Sequence, residues 1–390
     1  MSAKKVEDNN TWFEDLNKSV GHAISNLERT ADGKWPAWST GVTFVDIATR
    51  IGGLPKGRIV EIFGDPSAGK STILMYAAAQ RQKEGKKTVW LDFENSLEPL
   101  WCAKLGLNIE DRSTFLWVKD IETMEEGFDL VNKIIKSDQG KDVALIVWDS
   151  IAMSMTQVTA DMKSAQDKER LAPKATTLTR ELPRLNTLMA TRDTETTVCF
   201  VNQVRVAIGD TSWVPEVKTP GGKAFEHSAS LRLHIKKSAQ YKAKVLDPLT
   251  KEVTDKVVGL KVRVFVEKNK LGERGGEGSY YFLNSIGIDN VRMAVEIAAS
   301  RGDLVKISAQ KYLIPATLTA DSKDFEGTEK KVLQYFMDNP TAYRKLESYL
   351  ITDIERMHQE SLKAIPTLGE TTVEEIPDTL GLIVENSDVE

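Results

Sequence analysis

The segment Gly64-Asp65-Pro66-Ser67-Ala68-Gly69-Lys70-Ser71, followed by Thr72, has the spacing G-x-x-x-x-G-K-S and stands between an apolar β-branched run and a helix-forming run. Glycines let such a loop curl until successive N–H groups point inward, and the helix that follows adds the positive end of its dipole. Lys70 then reaches terminal phosphates, and Ser71 offers a hydroxyl oxygen to Mg2+. The nine residues from Gly64 to Thr72 are therefore a candidate nucleoside triphosphate cradle. Two carboxylates are placed to complete it. Val143 to Trp148 delivers Asp149 to the end of a buried strand, where an acid either holds magnesium, usually through water, or caps a helix. Leu91-Asp92-Phe93-Glu94 ends the strand after the loop, and a carboxylate there can orient and deprotonate an attacking water. Glu94 is the expected base, Asp92 is the alternative, and a structural role for both is the competing reading.

These groups meet only if strands carry them to one edge. Strands are expected at Arg58 to Phe63, Thr88 to Phe93, Val143 to Trp148, Val198 to Val201, Leu231 to Lys236, Leu260 to Glu267 and Tyr280 to Leu283. The first four are separated by helical stretches such as Ser71 to Lys83 and Ile121 to Lys136. That alternation predicts an α/β fold, a mainly parallel twisted sheet with helices on both faces. The later strands alternate more clearly and lie closer together, so they are expected to add antiparallel edge strands. Upstream, Trp12, Phe13, Leu16, Val20, Ile24 and Leu27 make one apolar helical face within 11–30, and Asp32-Gly33 and Pro36 break it. Beyond Asn284 the pattern is helical, at Val291 to Ala299, Glu329 to Met337 and Tyr343 to Met357. The expected organisation is a helix and linker at 1–35, a nucleotide-binding core at 36–284, an α-rich C-terminal domain at 285–365 and an acidic tail at 366–390.

Composition excludes several classes. With 41% hydrophobic and 28% charged residues the chain is neither a polyelectrolyte nor a disordered linker. Its longest stretch free of Asp, Glu, Lys and Arg, such as Trp35 to Val45, falls well short of the ~20 apolar residues a membrane helix needs. The first residues carry no apolar targeting core, and Cys102 and Cys199 are the only cysteines, so a reducing cytosol without structural disulfides or zinc is expected. The net charge of −5 belongs to the tail: Pro366 to Glu390 holds seven acids and no base, and without it 52 basic residues face 50 acidic ones. Overall acidity therefore does not argue against a nucleic-acid partner.

The runs STGVTFVDIATRIGGLPKGRIVEIFGDPSAGKST (39–72), WLDFENSLEPLWCAKLGLN (90–108), ALIVWDSIA (144–152), FVNQVR (200–205), TPGGKAFEHSASLRL (219–233) and VEKNK (266–270) resemble, in order, the ATPase core of the bacterial RecA-type recombinases. Weaker similarity continues from Asn290 to Pro340. The resemblance implies a RecA-like fold and a DNA-dependent ATPase using ATP and Mg2+. It implies helical filaments on single-stranded DNA and pairing of that strand with a homologous duplex, assisted by single-strand-binding and mediator proteins. It also implies residue roles. Glu94 is similar to the family's catalytic glutamate, Asp149 to its magnesium-associated acid, and Gln203 to the residue that senses the γ-phosphate and relays it to a DNA loop. Glu98 and Trp101 fall where the family places an acid and an aromatic beside adenine; a core tryptophan is the other reading of Trp101. Lys268 and Lys270 resemble paired lysines that reach a neighbour's ATP.

DNA contacts are expected in two segments. Val204 to Lys223 holds Arg205, Trp213, Lys218, Gly221 and Gly222, with Trp213 able to stack on bases. Met155 to Arg170 and the helix after it carry Lys174 and Arg180, but from Asp161 to Asp193 seven basic residues nearly cancel against five acidic ones. The first segment departs from the bacterial pattern in length. His227 stands where bacterial members carry an aromatic and archaeal and eukaryotic ones a histidine, and reads either as a γ-phosphate sensor or as a packed interface residue. This mixture fits a divergent, phage-encoded member acting in the cytoplasm of a bacterial cell or infected host. The acidic tail reads as autoinhibitory or as a solubiliser, and the 11–30 helix as a contact to the adjacent subunit or as a local helix. The alternative functions are a hexameric helicase on the same core and a non-catalytic accessory paralogue; intact Lys70 and Glu94 disfavour the latter.

Overall fold

The computed structural model describes residues 35–161, 173–206, 217–221, 223–246 and 251–363. The expected helix at 11–30, most of the first DNA segment, Trp213, Gly222 and the acidic tail lie outside the described residues. The chain divides into two compact units, one ending at Asn290 and the other beginning at Val291.

In the first unit nine strands form one sheet: β1 Ile59–Gly64, β2 Lys87–Asp92, β3 Phe115–Val118, β4 Val143–Asp149, β5 Thr197–Gln203, β6 Leu231–Leu246, β7 Val253–Asn269, β8 Glu277–Leu283 and β9 Gly287–Asp289. Their spatial order is β9-β8-β7-β6-β1-β5-β4-β2-β3. The six strands from β6 to β3 in that order run parallel, and β6 to β9 are antiparallel neighbours. The helices of this unit are α1 Thr43–Ala48, α2 Lys70–Lys83, α3 Pro99–Lys104, α4 Met124–Lys136, α5 Gln157–Ala160, α6 Pro173–Arg192 and α7 Ala224–Ser228.

Both faces of the parallel strands are covered, which is why β1 and β4 are buried at every position. Successive residues point to opposite faces. Val60 and Ile62 pack with Ile73, Leu74 and Ala77 of α2, whereas Ile59, Ile146 and Trp148 pack with Phe128 and Val131 of α4 and Leu182 and Leu185 of α6. The start of α4 is fixed by a capping box in which Thr123 accepts from Glu126 N–H and the Glu126 side chain reaches back.

Several features differ from the sequence expectation; the short edge strands β3 and β9 were not expected at all. Leu231 does not begin an antiparallel edge: Leu231 to Ile235 pairs in parallel with Val60 to Gly64, and only β7 onward reverses. β6 and β7 also run 16 and 17 residues, far beyond Lys236 and before Leu260. Their outer halves form a largely exposed two-stranded ladder. In the second unit, reached through α8 Asn290–Arg301, the expected helices α9 Glu329–Asp338 and α10 Pro340–Lys363 are joined by a three-stranded antiparallel sheet: β10 Val305–Ser308, β11 Lys311–Ile314 and β12 Phe325–Thr328. All four residues of β10 are exposed, and its Val-Lys-Ile-Ser alternation covers only four residues, too short to distinguish a strand from a loop. Leu304, Ile314, Leu318, Val332, Phe336, Leu346 and Leu350 are buried in that unit. Among the described residues no helix is long and apolar enough to cross a membrane.

Candidate nucleotide-binding and catalytic site

Because β1, β5, β4 and β2 are parallel, the residues at their C-terminal ends collect along one sheet edge. Gly64 pairs in register with Gln203, and Asp92 with Asp149. The phosphate loop leaves β1 at Gly64, whose φ is +148°; a Cβ there would lie 1.9 Å from the Ile235 carbonyl oxygen. Gly69 adopts the left-handed region (φ 86°, ψ 21°) and caps α2 without a side-chain hydrogen bond, so the first-turn N–H groups of α2 are oriented for an anion. Lys70 is buried and donates to the carbonyl oxygens of Gly64 (3.1 Å) and Asp65 (2.7 Å). Burial lowers its pKa, opposed by Asp149, Glu94 and Asp65. The loop is stitched to β6 by Asp65 N–H donating to Ile235 O (3.2 Å) and Lys237 N–H donating to Asp65 Oδ2 (3.2 Å).

Asp149 is buried, neither of its carboxylate oxygens completes a hydrogen bond, and the Ser71 hydroxyl approaches without forming a well-shaped one. Burial, then the nearby charges of Glu94 and Asp92, push its pKa up to about 7, while Ser71 and Lys70 pull it down. A buried acid without a donor beside a loop hydroxyl fits a divalent cation, which would neutralise phosphate charge there. The described residues hold no group of three or more His, Cys, Asp or Glu suited to a metal, so a cation held by Ser71 and Asp149 would need oxygens from the nucleotide itself.

Asp92 is engaged in folding its own turn. Its oxygens accept from Ser96 N–H (3.1 Å), Leu97 N–H (3.3 Å) and Trp117 Nε1 (3.1 Å). Glu94, on that turn, accepts instead from the Ser150 hydroxyl and from Gln203 Nε2 (3.3 Å). The expected base, the residue after Asp149 and the expected γ-phosphate sensor therefore form one cluster. Ser150 was not singled out from the sequence; its only signal was adjacency to Asp149.

Two aromatic residues of β8 also went unnoticed. Tyr280 donates to the Ala68 carbonyl (3.0 Å), and Phe282 lies 3.6 Å from where a Gly69 Cβ would stand. Trp101 is half-buried and packs edge-on against Phe282, with ring centroids 6.1 Å apart. The Glu98 carboxylate caps α3, accepting from Leu100 N–H (3.0 Å) and Trp101 N–H (2.5 Å).

The remaining candidates are placed as follows. Lys174 donates to the carbonyls of Ile151 (3.2 Å) and Ala152 (2.6 Å), tying α6 to the chain that follows Asp149. Arg180 pairs with Glu181 (2.6 Å) beside a groove between α4 and α6 that Asp129 and Arg184 also line. Arg205 and Lys218 face each other in a two-residue antiparallel ladder that closes the base of the second DNA segment. Gly221 is buried with φ +101°, and a Cβ would lie 2.4 Å from Leu178 Cδ1. The His227 side chain is exposed, and its carbonyl accepts from Lys270 Nζ (3.0 Å). Lys268 donates to the Glu226 carbonyl, so both lysines gather at the C-terminal end of α7. Burial, then Lys270, Arg232 and Arg274, lower the Lys268 pKa to about 8.

Residues 9–282 match the family model described as the RecA N-terminal domain. Protein RecA of Thermus thermophilus is 34% identical over 267 residues, covering 68% of this chain and 72% of the relative. Protein RecA of Streptococcus sanguinis is 30% identical over 336 residues, covering 86% and 81%. A crystal structure of the RadB recombinase aligns with a TM-score of 0.44 and 19% identity over 64% of this chain and 98% of that one. The family model spans well over half of the sequence, and the relatives pass 30% identity across most of both chains, so this chain belongs to the RecA family.

Proposed function

We propose that the protein is an ATP-dependent recombinase that forms helical filaments on single-stranded DNA and carries out homologous pairing and strand exchange in DNA recombination and repair. The observation that carries this reading is the Glu94, Ser150 and Gln203 cluster beside the phosphate loop, in a chain of the RecA family. Lys70 and the α2 N-terminus hold the triphosphate, with Glu98 and Trp101 near the base. Ser71 and Asp149 would hold Mg2+, which supplies charge neutralisation on the phosphates. Glu94 orients water and takes its proton. Gln203 responds to the γ-phosphate and stands one residue before the chain enters the segment bearing Arg205, Trp213, Lys218, Gly221 and Gly222, so triphosphate and DNA binding favour each other.

Lys268 and Lys270 act on the ATP of an adjacent copy, where cations stabilise charge developing on the transferring phosphoryl group. Hydrolysis then requires assembly. Lys174 and Arg180 act from the first DNA segment, and His227 faces the neighbouring protomer. Partners in this reading are single-stranded DNA, homologous duplex DNA, further copies of the chain, and single-strand-binding and mediator proteins, in the cytoplasm of a bacterial or phage-infected cell.

Electron microscopy of the protein with single-stranded DNA, Mg2+ and a slowly hydrolysed ATP analogue is expected to show helical filaments, and a circular strand with a homologous linear duplex is expected to yield joint molecules. Closed rings without joint molecules would replace this reading with a hexameric helicase.

A further inference from the structure

Glu61 sits in the middle of β1, three residues before the phosphate loop, and is fully buried. An acid in a central parallel strand is costly unless partners surround it. Three groups do so, from three directions. Arg232 Nε on β6 donates at 2.6 Å and forms an ion pair. Asn202 Nδ2 on β5 donates at 2.9 Å, and the Thr219 hydroxyl also bonds the carboxylate. Asn202 Nδ2 further donates to the Pro220 carbonyl (3.0 Å), and Asn202 Oδ1 accepts from Gln203 N–H (3.0 Å). The carboxylate thus ties the end of the second DNA segment to the strand end that bears Gln203.

The other side of the cluster leads to the paired lysines. Arg232 stacks on Phe63, the residue before Gly64, at 4.6 Å from the ring centroid. It stands opposite Lys268 in the β6–β7 ladder, where directly opposed side chains are close neighbours. Lys268 in turn bonds the end of α7, the helix that begins three residues after Gly221. The charged groups around Lys268 are Lys270, Arg232 and Arg274, all cationic; the carboxylate of Glu267, the residue before Lys268, is engaged by His234 Nδ1 (3.2 Å). Among these, Glu61 is the acid bonded to Arg232.

We propose that Glu61 is a positioning residue that links the second DNA segment to the lysine acting on the neighbour's ATP, by fixing Thr219 and Asn202 on one side and neutralising Arg232 beside Lys268 on the other. This rests on the functional reading above, since only there does Lys268 serve a neighbour. Without the carboxylate, the Arg232 charge bears fully on Lys268 and favours its neutral form. Lys268 must be protonated to meet phosphate, so the alkaline limb of hydrolysis moves to lower pH.

The test compares wild type, Glu61→Gln and the double variant Glu61→Gln with Arg232→Gln. The Lys268 titration is followed by NMR of lysine labelled at the ε-carbon, assigned with Lys268→Arg, and DNA-stimulated hydrolysis is measured from pH 6.5 to 9.5. In Glu61→Gln the Lys268 pKa is expected to fall by about half a unit or more, with kcat reduced and KM for ATP within about two-fold. In the double variant, where the Arg232 charge is removed as well, both the titration and the limb return to wild-type values or above. The double variant also covers the case in which the single one does not fold. An unchanged Lys268 titration in Glu61→Gln, or a titration still lowered in the double variant, overturns the proposal. A wild type that shows no DNA-stimulated hydrolysis overturns the functional reading instead, because the NMR titration needs neither DNA nor ATP.

Discussion

Glu94→Gln isolates the charge and basicity of one carboxylate with almost no change of shape. In the structure Glu94 Oε1 accepts from two donors, the Ser150 hydroxyl and Gln203 Nε2 at 3.3 Å. Glutamine keeps one acceptor oxygen, so the cluster loses charge assistance worth about 1 kcal/mol per hydrogen bond and the fold is preserved. The catalytic loss is much larger. A positioned general base contributes about 100- to 10,000-fold, or roughly 3 to 5 kcal/mol of barrier. Nucleotide affinity has no reason to fall, since a carboxylate beside a triphosphate repels it. Glu94 also helps raise the Asp149 pKa to about 7, so its neutralisation leaves Asp149 more fully ionised at neutral pH and lowers the Mg2+ concentration needed for binding. The assay is phosphate release at saturating ATP and single-stranded DNA, paired with a fluorescent-nucleotide titration across Mg2+ concentrations. Turnover within about ten-fold of wild type in a folded variant would remove Glu94 from the role of base.

Lys268→Ala with Lys270→Ala is expected to leave nucleotide binding by the single protomer intact and to cut DNA-stimulated hydrolysis by about 1,000-fold or more. Mixed with Glu94→Gln, this double variant should recover activity, because some interfaces then join an intact Glu94 to intact lysines; no recovery would refute action across the interface. Gly221→Ala places a Cβ 2.4 Å from Leu178 Cδ1 at φ +101°. Strain and overpacking are expected to destabilise the first unit by about 2 kcal/mol or more, a Tm lower by roughly 5 °C in thermal unfolding; an unshifted Tm would show that the segment end is not held as described.

Much of the site was legible because its signals are local. The phosphate loop announces itself through glycine spacing, and Gly64 and Gly69 are held at backbone angles that explain it. Continuous apolar runs located β1, β2, β4 and β5 to within about two residues. What was not legible depends on partners distant in sequence. The sequence ranked Glu94 above Asp92 as the base without showing what occupies each; Trp117, 25 residues on, takes Asp92, and Ser150 and Gln203 take Glu94. Tyr280 and Phe282 looked like an ordinary strand until antiparallel pairing laid them over the loop. That Lys174 reaches the carbonyls after Asp149 follows only from how α6 packs.

By itself the sequence determined the order of the main strands of the first unit, the chemistry of the phosphate loop and the family, because propensity, periodicity and motif spacing act over a few residues. Tertiary structure alone decided that β6 pairs in parallel with β1, which sets Arg232 against Glu61 and, through the antiparallel return of β7, Lys268 against Arg232. Strand pairing brings together residues as much as 171 positions apart, and burial then forces each polar group among them to find its partner.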